Sequence, residues 1–214
     1  MNRKHIAALL LAALLLPAGA QASVHDEVAS DLADARQEVH ADMAKERAKL
    51  DSENLSLDGL HFGKDDQREA AKRKDQPKGE ITPKGDLLVD GKAIAVDATQ
   101  RRQLLDYRAR VIDIAKAGID AGEHAAMLAI DATDVSLFHL IVGGLTGSLE
   151  RRIEASVKRD IQPAVLQICR QLPQLRDSQQ ALAASVPEFR PYATLDDDDV
   201  EDCENDIRND LATR

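Results

Sequence analysis

From Leu104 to Leu172 apolar residues recur at steps of three and four, and that spacing constrains the fold more than any other feature of the chain. Leu104, Val111, Ala115, Ile119, Ala126 and Ile130 form one stripe. Phe138, Ile141, Val142, Leu145, Leu149, Ile153, Val157, Ile161, Val165, Ile168 and Leu172 form a second. A helix gathers such positions on one side, whereas a strand would scatter them over both faces. A third, narrower stripe (Val24, Val28, Leu32, Ala35, Val39, Met43, Leu50) runs through dense charge and reads as an amphipathic helix resting on one neighbour. Aromatic residues make up only 2% of the chain, with no Trp: Phe62, Tyr107, Phe138, Phe189 and Tyr192. That scarcity argues against an aromatic-rich β-sandwich and against stacking platforms for bases or sugars. The expected fold is mainly α: long antiparallel helices, as a bundle or as helical hairpins, with a small two- or three-stranded β-hairpin element.

The β element comes early. Residues 55–62 alternate around Asp58-Gly59, a hairpin-turn dipeptide, so 55–63 reads as a short β element. Residues 64–80 carry six basic and five acidic side chains and read as a charged flexible linker. Within it Lys72, Arg73 and Lys74 are the basic cluster most able to touch anionic lipid, flanked by Asp. A hairpin is expected over 81–96. It would have a turn at Pro83 to Asp86, a strand at Leu87 to Val89, a second turn at Asp90-Gly91 and a return strand at Ala93 to Val96. Asp97 and Gln100 then have the spacing of a capping box that starts the long-helix core at 97–186. Pro163 is expected to kink that run or start a new helix, and Pro173 to end one before a short helix over 174–186. A proline-containing linker and an acidic C-terminal helix fill 187–214.

Residues 1–22 have the order of a secretory signal: Arg3 and Lys4, an apolar run over 6–16, and Ala20-Gln21-Ala22 before Ser23. The run is too short to span a bilayer, so cleavage between Ala22 and Ser23 and a periplasmic location are expected, with 23–54 as the N-terminal helix. Losing Arg3 and Lys4 shifts the net charge from −10 to −12, a balance that excludes nucleic acid as partner. In an oxidising compartment two cysteines, Cys169 and Cys203, are read as a disulfide. Each sits on an apolar helical face, Cys169 among Ile161, Val165, Ile168 and Leu172, and Cys203 among Val200, Ile207 and Leu211. A bridge would close a loop worth roughly 3.8 kcal/mol in chain entropy and clip the acidic helix to the body; free buried thiols or an intermolecular bridge are the alternatives.

No catalytic pattern emerges. His25, His40, His61, His124 and His139 show no zinc spacing, and the acidic run from Asp196 lacks the Gly and the terminal Glu of a calcium loop. Asp120, Glu123, His124 and Asp131 share a helix region and read as a solvated face. No cofactor is implied. The apolar stretch 135–149 holds Phe138 and a small-x-x-x-small pair, Gly143 and Gly147, and reads as buried helix packing, a self-association seam or shallow membrane contact.

The stretch EITPKGDLLVDGKAI at 80–94, continued by Thr99-Gln100-Arg101 and Asp106-Tyr107, resembles the YggN-like family of exported proteobacterial proteins of unknown function. A second match runs from Ile168-Cys169-Arg170 through Asp177-Ser178 to Ala181-Leu182. The resemblance implies a periplasmic, largely helical protein with a small β element, and it carries no activity and no site residues. Relatives can have a Cys soon after the signal; this chain has none there, and Cys203 lies outside the matched stretches. The leading expectation is therefore a non-enzymatic interaction or scaffold protein of the cell envelope, with an envelope protein or a second copy as partner. A peripheral membrane-surface protein using 135–149 and a hydrolase whose site is assembled from distant loops are the alternatives.

Overall fold

The computed structural model describes residues 19–58, 76–142, 159 and 161–212. In chain order these form helix α1 (Gly19–Ser52), strands β1 (Leu55–Ser56), β2 (Gly79–Ile81), β3 (Leu87–Val89) and β4 (Lys92–Ala93), and helices α2 (Ala98–Val142) and α3 (Gln162–Ser185). A 3-10 turn (Pro187–Tyr192) and helix α4 (Asp197–Ala212) follow. The fold is mainly helical with a small antiparallel sheet, and the sheet has four strands where two or three were expected.

The extra strand comes from pairing across the chain. Leu55 lies opposite Ile81 and Ser56 opposite Glu80, so β1 pairs with β2; the return strand expected after Asp58-Gly59 lies outside the described residues. Leu57 N–H donates to the Gly79 carbonyl (2.8 Å), and Asp58 Oδ1 accepts from Gly79 N–H (2.9 Å). Gly79 and Glu80, assigned by composition to the linker, are strand. The rest of the hairpin follows its turn chemistry. Asp90 (φ 48°) and Gly91 (φ 73°) both take the left-handed conformation of a two-residue hairpin turn. The return strand is Lys92–Ala93, shorter than and offset from the expected 93–96.

The start of α2 is a capping box: Asp97 Oδ1 accepts from the N–H of Thr99 (2.7 Å) and Gln100 (2.8 Å), and Gln100 Oε1 accepts from Asp97 N–H (2.8 Å). Pro163 sits in the first turn of α3, where a missing N–H removes no helical bond. The expected break at Pro173 does not occur, and α3 continues through it to Ser185. The helix loses one backbone bond there, but it buries Cys169, Leu172, Leu175, Gln179 and Leu182 on one side, and that burial outweighs the loss.

Residue pairs between helices run in opposite directions along the chain, so neighbours are antiparallel: Arg36 with Asp131 and Lys116 with Asp51 between α1 and α2, Arg110 with Gln174 and Gln103 with Ser185 between α2 and α3. The buried core lies at the sheet end. Ile81, Leu87, Leu104, Tyr107, Leu175, Leu182, Phe189 and Leu195 are all fully enclosed there. Tyr107 meets Phe189 edge-on (centroids 5.2 Å, planes at 80°), and Phe189 leans on Tyr192 at 6.1 Å.

Gly79 marks where the sheet meets this aromatic cluster. A Cβ there would run into the ring of Tyr192, which is buried and anchored by its hydroxyl to the Pro77 carbonyl (2.9 Å). Gly79→Ala is expected to cost about 1–3 kcal/mol through overpacking. Gly118→Ala, in open space on α2, is expected to gain up to about 1 kcal/mol. Chemical denaturation of the two variants measures the contrast.

Candidate functional site

Among the described side chains none is buried from Glu27 to Ser52 of α1 or from Ala115 to Ala132 of α2. Among the described residues these segments pair as a two-helix arm beyond the buried core, with α3 flanking the start of its α2 half. From Ala115 to Val142, α2 runs for about 42 Å at the helical rise. The α1 stripe read from the sequence is the side turned inward: Val28, Leu32, Ala35, Val39, Met43 and Leu50 are half-buried between exposed charges.

A ladder of charges holds the arm together. Arg36 donates to Asp131 (2.9 Å), His40 Nδ1 to Glu123, Arg47 to Asp120 (2.8 Å) and to Glu123, and Lys116 to both oxygens of Asp51 (2.7 and 2.9 Å). At its inner end Arg108, only 8% exposed, places Nη2 within reach of the carbonyls of Leu50 (2.9 Å), Asp51 (3.2 Å) and Glu53 (2.9 Å). The guanidinium thus caps the negative end of α1. The N-terminal helix therefore packs in cis, against the same chain.

Of the residues read as a solvated face, Asp120, His124 and Asp131 are exposed and Glu123 is half-buried; in addition Asp120, Glu123 and Asp131 are each engaged by a basic side chain of α1. Arg36, His40 and Arg47 went unnoticed in the sequence, although a signal was present. They interleave with the apolar stripe at four- and seven-residue steps, and Lys116, Asp120, Glu123 and Asp131 repeat on α2 at steps that match.

On another flank of α2, Asp113, Lys116, Ala117 and Asp120 face Gln167, Arg170 and Gln171 of α3 across a cleft of about 510 Å³. Lys116 and Asp120 serve both the cleft and the ladder, so the two features are joined. Its lining residues are polar or charged apart from Ala117.

Cys169 and Cys203 form the expected disulfide, with Cα atoms 5.7 Å apart. Val165, expected on the apolar face beside Cys169, is 36% exposed. The acidic run caps α4: Asp196 Oδ1 accepts from Asp199 N–H (3.0 Å), and Asp199 Oδ2 accepts from Asp196 N–H (3.1 Å). Burial and the neighbouring Asp196 and Asp198 charges raise the Asp199 pKa, although the Asp196 N–H counters them in part. Ala22 and Ser23 fall within the backbone of α1. The side chain of Phe138, together with Gly143 and Gly147, lies outside the described residues. Among the described residues no helix is long and apolar enough to cross a membrane.

The hydrogen bonds from Arg47, and then from His40, hold the Glu123 carboxyl below its ordinary value of 4.5. The paired arm binds that proton more weakly than separated helices would. Its contribution is complete above pH 4.5 and drains away as pH falls through the depressed pKa. Acidification below pH 4.5 is therefore expected to speed protease cleavage within α1, and Glu123→Gln to do so several-fold already at neutral pH. Equal cleavage rates for variant and parent would contradict this role.

No family model, curated protein or solved structure matches the chain.

Proposed function

We propose that this is an exported, periplasmic, non-enzymatic interaction or scaffold protein of the cell envelope, acting through the α1–α2 arm. The observation that carries the reading is the arm itself: two long helices with no buried side chain among the described residues, projecting charged outer faces well beyond the core. A pair of that length adds little to the core and offers a long surface to a partner. Its outward α1 positions, Glu27, Asp31, Asp34, Glu38 and Asp42, are all exposed.

Export rests on the order of parts in residues 1–22 and on the resemblance to the YggN-like family, which points to the same compartment. Cleavage after Ala22 would start the mature chain on Ser23, with Asp26 three residues on. That is the spacing of a Ser-x-x-acid helix start, so the trimmed α1 would keep a good N-terminus.

The test is photo-crosslinking in intact cells, with the crosslinker at position 34 or 42 of α1 and, as a control, at position 188 beside the core. One reproducible envelope partner at the arm positions and none at the control is the expected result. Links confined to the chain itself, or turnover of a simple ester, phosphate or glycan by the purified protein, would overturn the reading.

A further inference from the structure

Helix α4 is joined to its neighbour α3 by a covalent bond. The buried core is complete by Leu195, and none of the described side chains of α4 is buried. Val200 and Cys203 reach half-burial at the rim of the core, and the main packing partner of α4 is α3. Asp197 pairs with Arg176 and Cys203 is bonded to Cys169, and these contacts give the register. The α4 pair of positions is six residues apart and the α3 pair seven, about 9 and 10.5 Å along the two axes, so α4 lies antiparallel along this strip of α3.

Left to itself α4 has little reason to stay helical. Its sixteen residues include eight Asp or Glu and one Arg, and helices of this length are marginal in water even with favourable composition. Carboxylates at three- and four-residue spacing add repulsion. The bridge also has an asymmetric exposure: Cys169 is fully buried, whereas Cys203 is half-buried.

From this geometry we infer that the Cys169–Cys203 bridge is a redox latch, whose reduction by a dithiol protein releases the acidic α4 from α3 while the core stays folded. One thiolate of the reductant attacks the more accessible Cys203 sulfur. The Cys169–Cys203 bond breaks, and Cys169 leaves as a thiolate that takes up a proton. The second thiol of the reductant then attacks the mixed disulfide, freeing Cys203 as a thiol and leaving the reductant oxidised. Two electrons and two protons pass from the dithiol to the bridge. Release uncovers the strip of α3 that holds Cys169 and Leu172, and turns a docked helix into a strongly acidic tail.

The experiment incubates the oxidised mature protein with thioredoxin and its regenerating system in native buffer. Alkylation followed by mass spectrometry counts free thiols, and amide hydrogen exchange reads α4 and the core. The expected result is two free thiols without denaturant, α4 amides that exchange as an open chain, and amides over 104–114 and 175–182 that stay protected as folded core, lowered only by the loss of the closed loop. Cys203→Ser should reproduce the exchange pattern with no reductant. A bridge that resists reduction until the protein is denatured would overturn the latch. So would an α4 that keeps its protection when reduced, or a core that unfolds together with α4.

Discussion

Phe189→Ala is expected to destabilise the protein by about 4 kcal/mol. Phe189 is fully buried in the 3-10 turn, edge-on to Tyr107 and against Tyr192, and so joins the C-terminal turn to α2. Removing the ring opens a cavity between elements far apart in sequence, and each keeps its position through the others. Collapse to fill that space would have to move α2 or the turn, so little of the loss can be recovered. Urea denaturation followed by far-ultraviolet circular dichroism measures it. The same cluster gives an alkaline signature. Burial pushes the Tyr107 phenol from 10.0 up to about 12. The folded state holds this proton more tightly than the unfolded chain, so stability is complete below pH 10 and falls by about 3 kcal/mol as pH rises towards 12. Tyrosinate absorbance should accordingly rise together with unfolding. A Tyr107 that ionises near pH 10 in the folded protein would contradict this.

Gln179→Leu is expected to cost about 3 kcal/mol although it keeps the volume and adds apolar surface. The Gln179 amide is 1% exposed, and it is fully used. Its Nε2 donates to the Tyr192 carbonyl (3.2 Å) and the Tyr107 hydroxyl (3.4 Å), and its Oε1 accepts from Leu195 N–H (2.9 Å). With leucine, the Tyr192 carbonyl and the Leu195 N–H are left buried without partners, and each orphaned group costs about 1–3 kcal/mol. Gln180 offers a control one residue away. It is exposed, with a single longer bond to the Leu195 carbonyl (3.4 Å), and Gln180→Leu is expected to stay within about 0.5 kcal/mol of the parent. Equal effects at the two positions would show that helix propensity, and not the buried amide, sets the outcome.

The parts of the fold that are local in sequence were legible. Asp97 and Gln100 carry their capping box in four residues, Asp90-Gly91 supplies its own left-handed turn, and the acidic start of α4 follows from the helix dipole. The facing cysteines could be read because each lies on a helical stripe. What was hidden depends on contacts between distant segments. Nothing near Leu55 announces Ile81 as its partner, and Gly79 and Glu80 have the composition of the charged stretch before them. Pro173 reads as a helix end by propensity, whereas the burial of Leu172, Leu175 and Leu182 carries α3 through it. The scarcity of aromatics said nothing of where they lie, and Tyr107, Phe189 and Tyr192 converge on one core. Tyr107 falls three residues after Leu104 and four before Val111, so the stripe itself held the clue.

The candidate surface was half visible. The apolar side of α1 came directly from periodicity, but its function as an arm depends on α2 outrunning the core, and sequence spacing does not say where a core stops. The charge ladder needed both helices in register before Arg36, His40 and Arg47 could be matched to Asp131, Glu123 and Asp120. Exposed pairs of this kind are worth little singly and are screened by salt. The arm should therefore open well before the core does.

Native-state hydrogen exchange, at low salt and at about 1 M salt, tests this division most directly, because the Debye length at the higher salt is about 3 Å. Amides of α1 are expected to exchange through openings that cost several kcal/mol less than those of 104–114 and 175–182, and to open more readily in high salt while the core amides do not respond. Amides of α1 protected to the same level as the core, and indifferent to salt, would mean that α1 is an integral part of the core and would contradict the arm as the surface this protein offers to a partner.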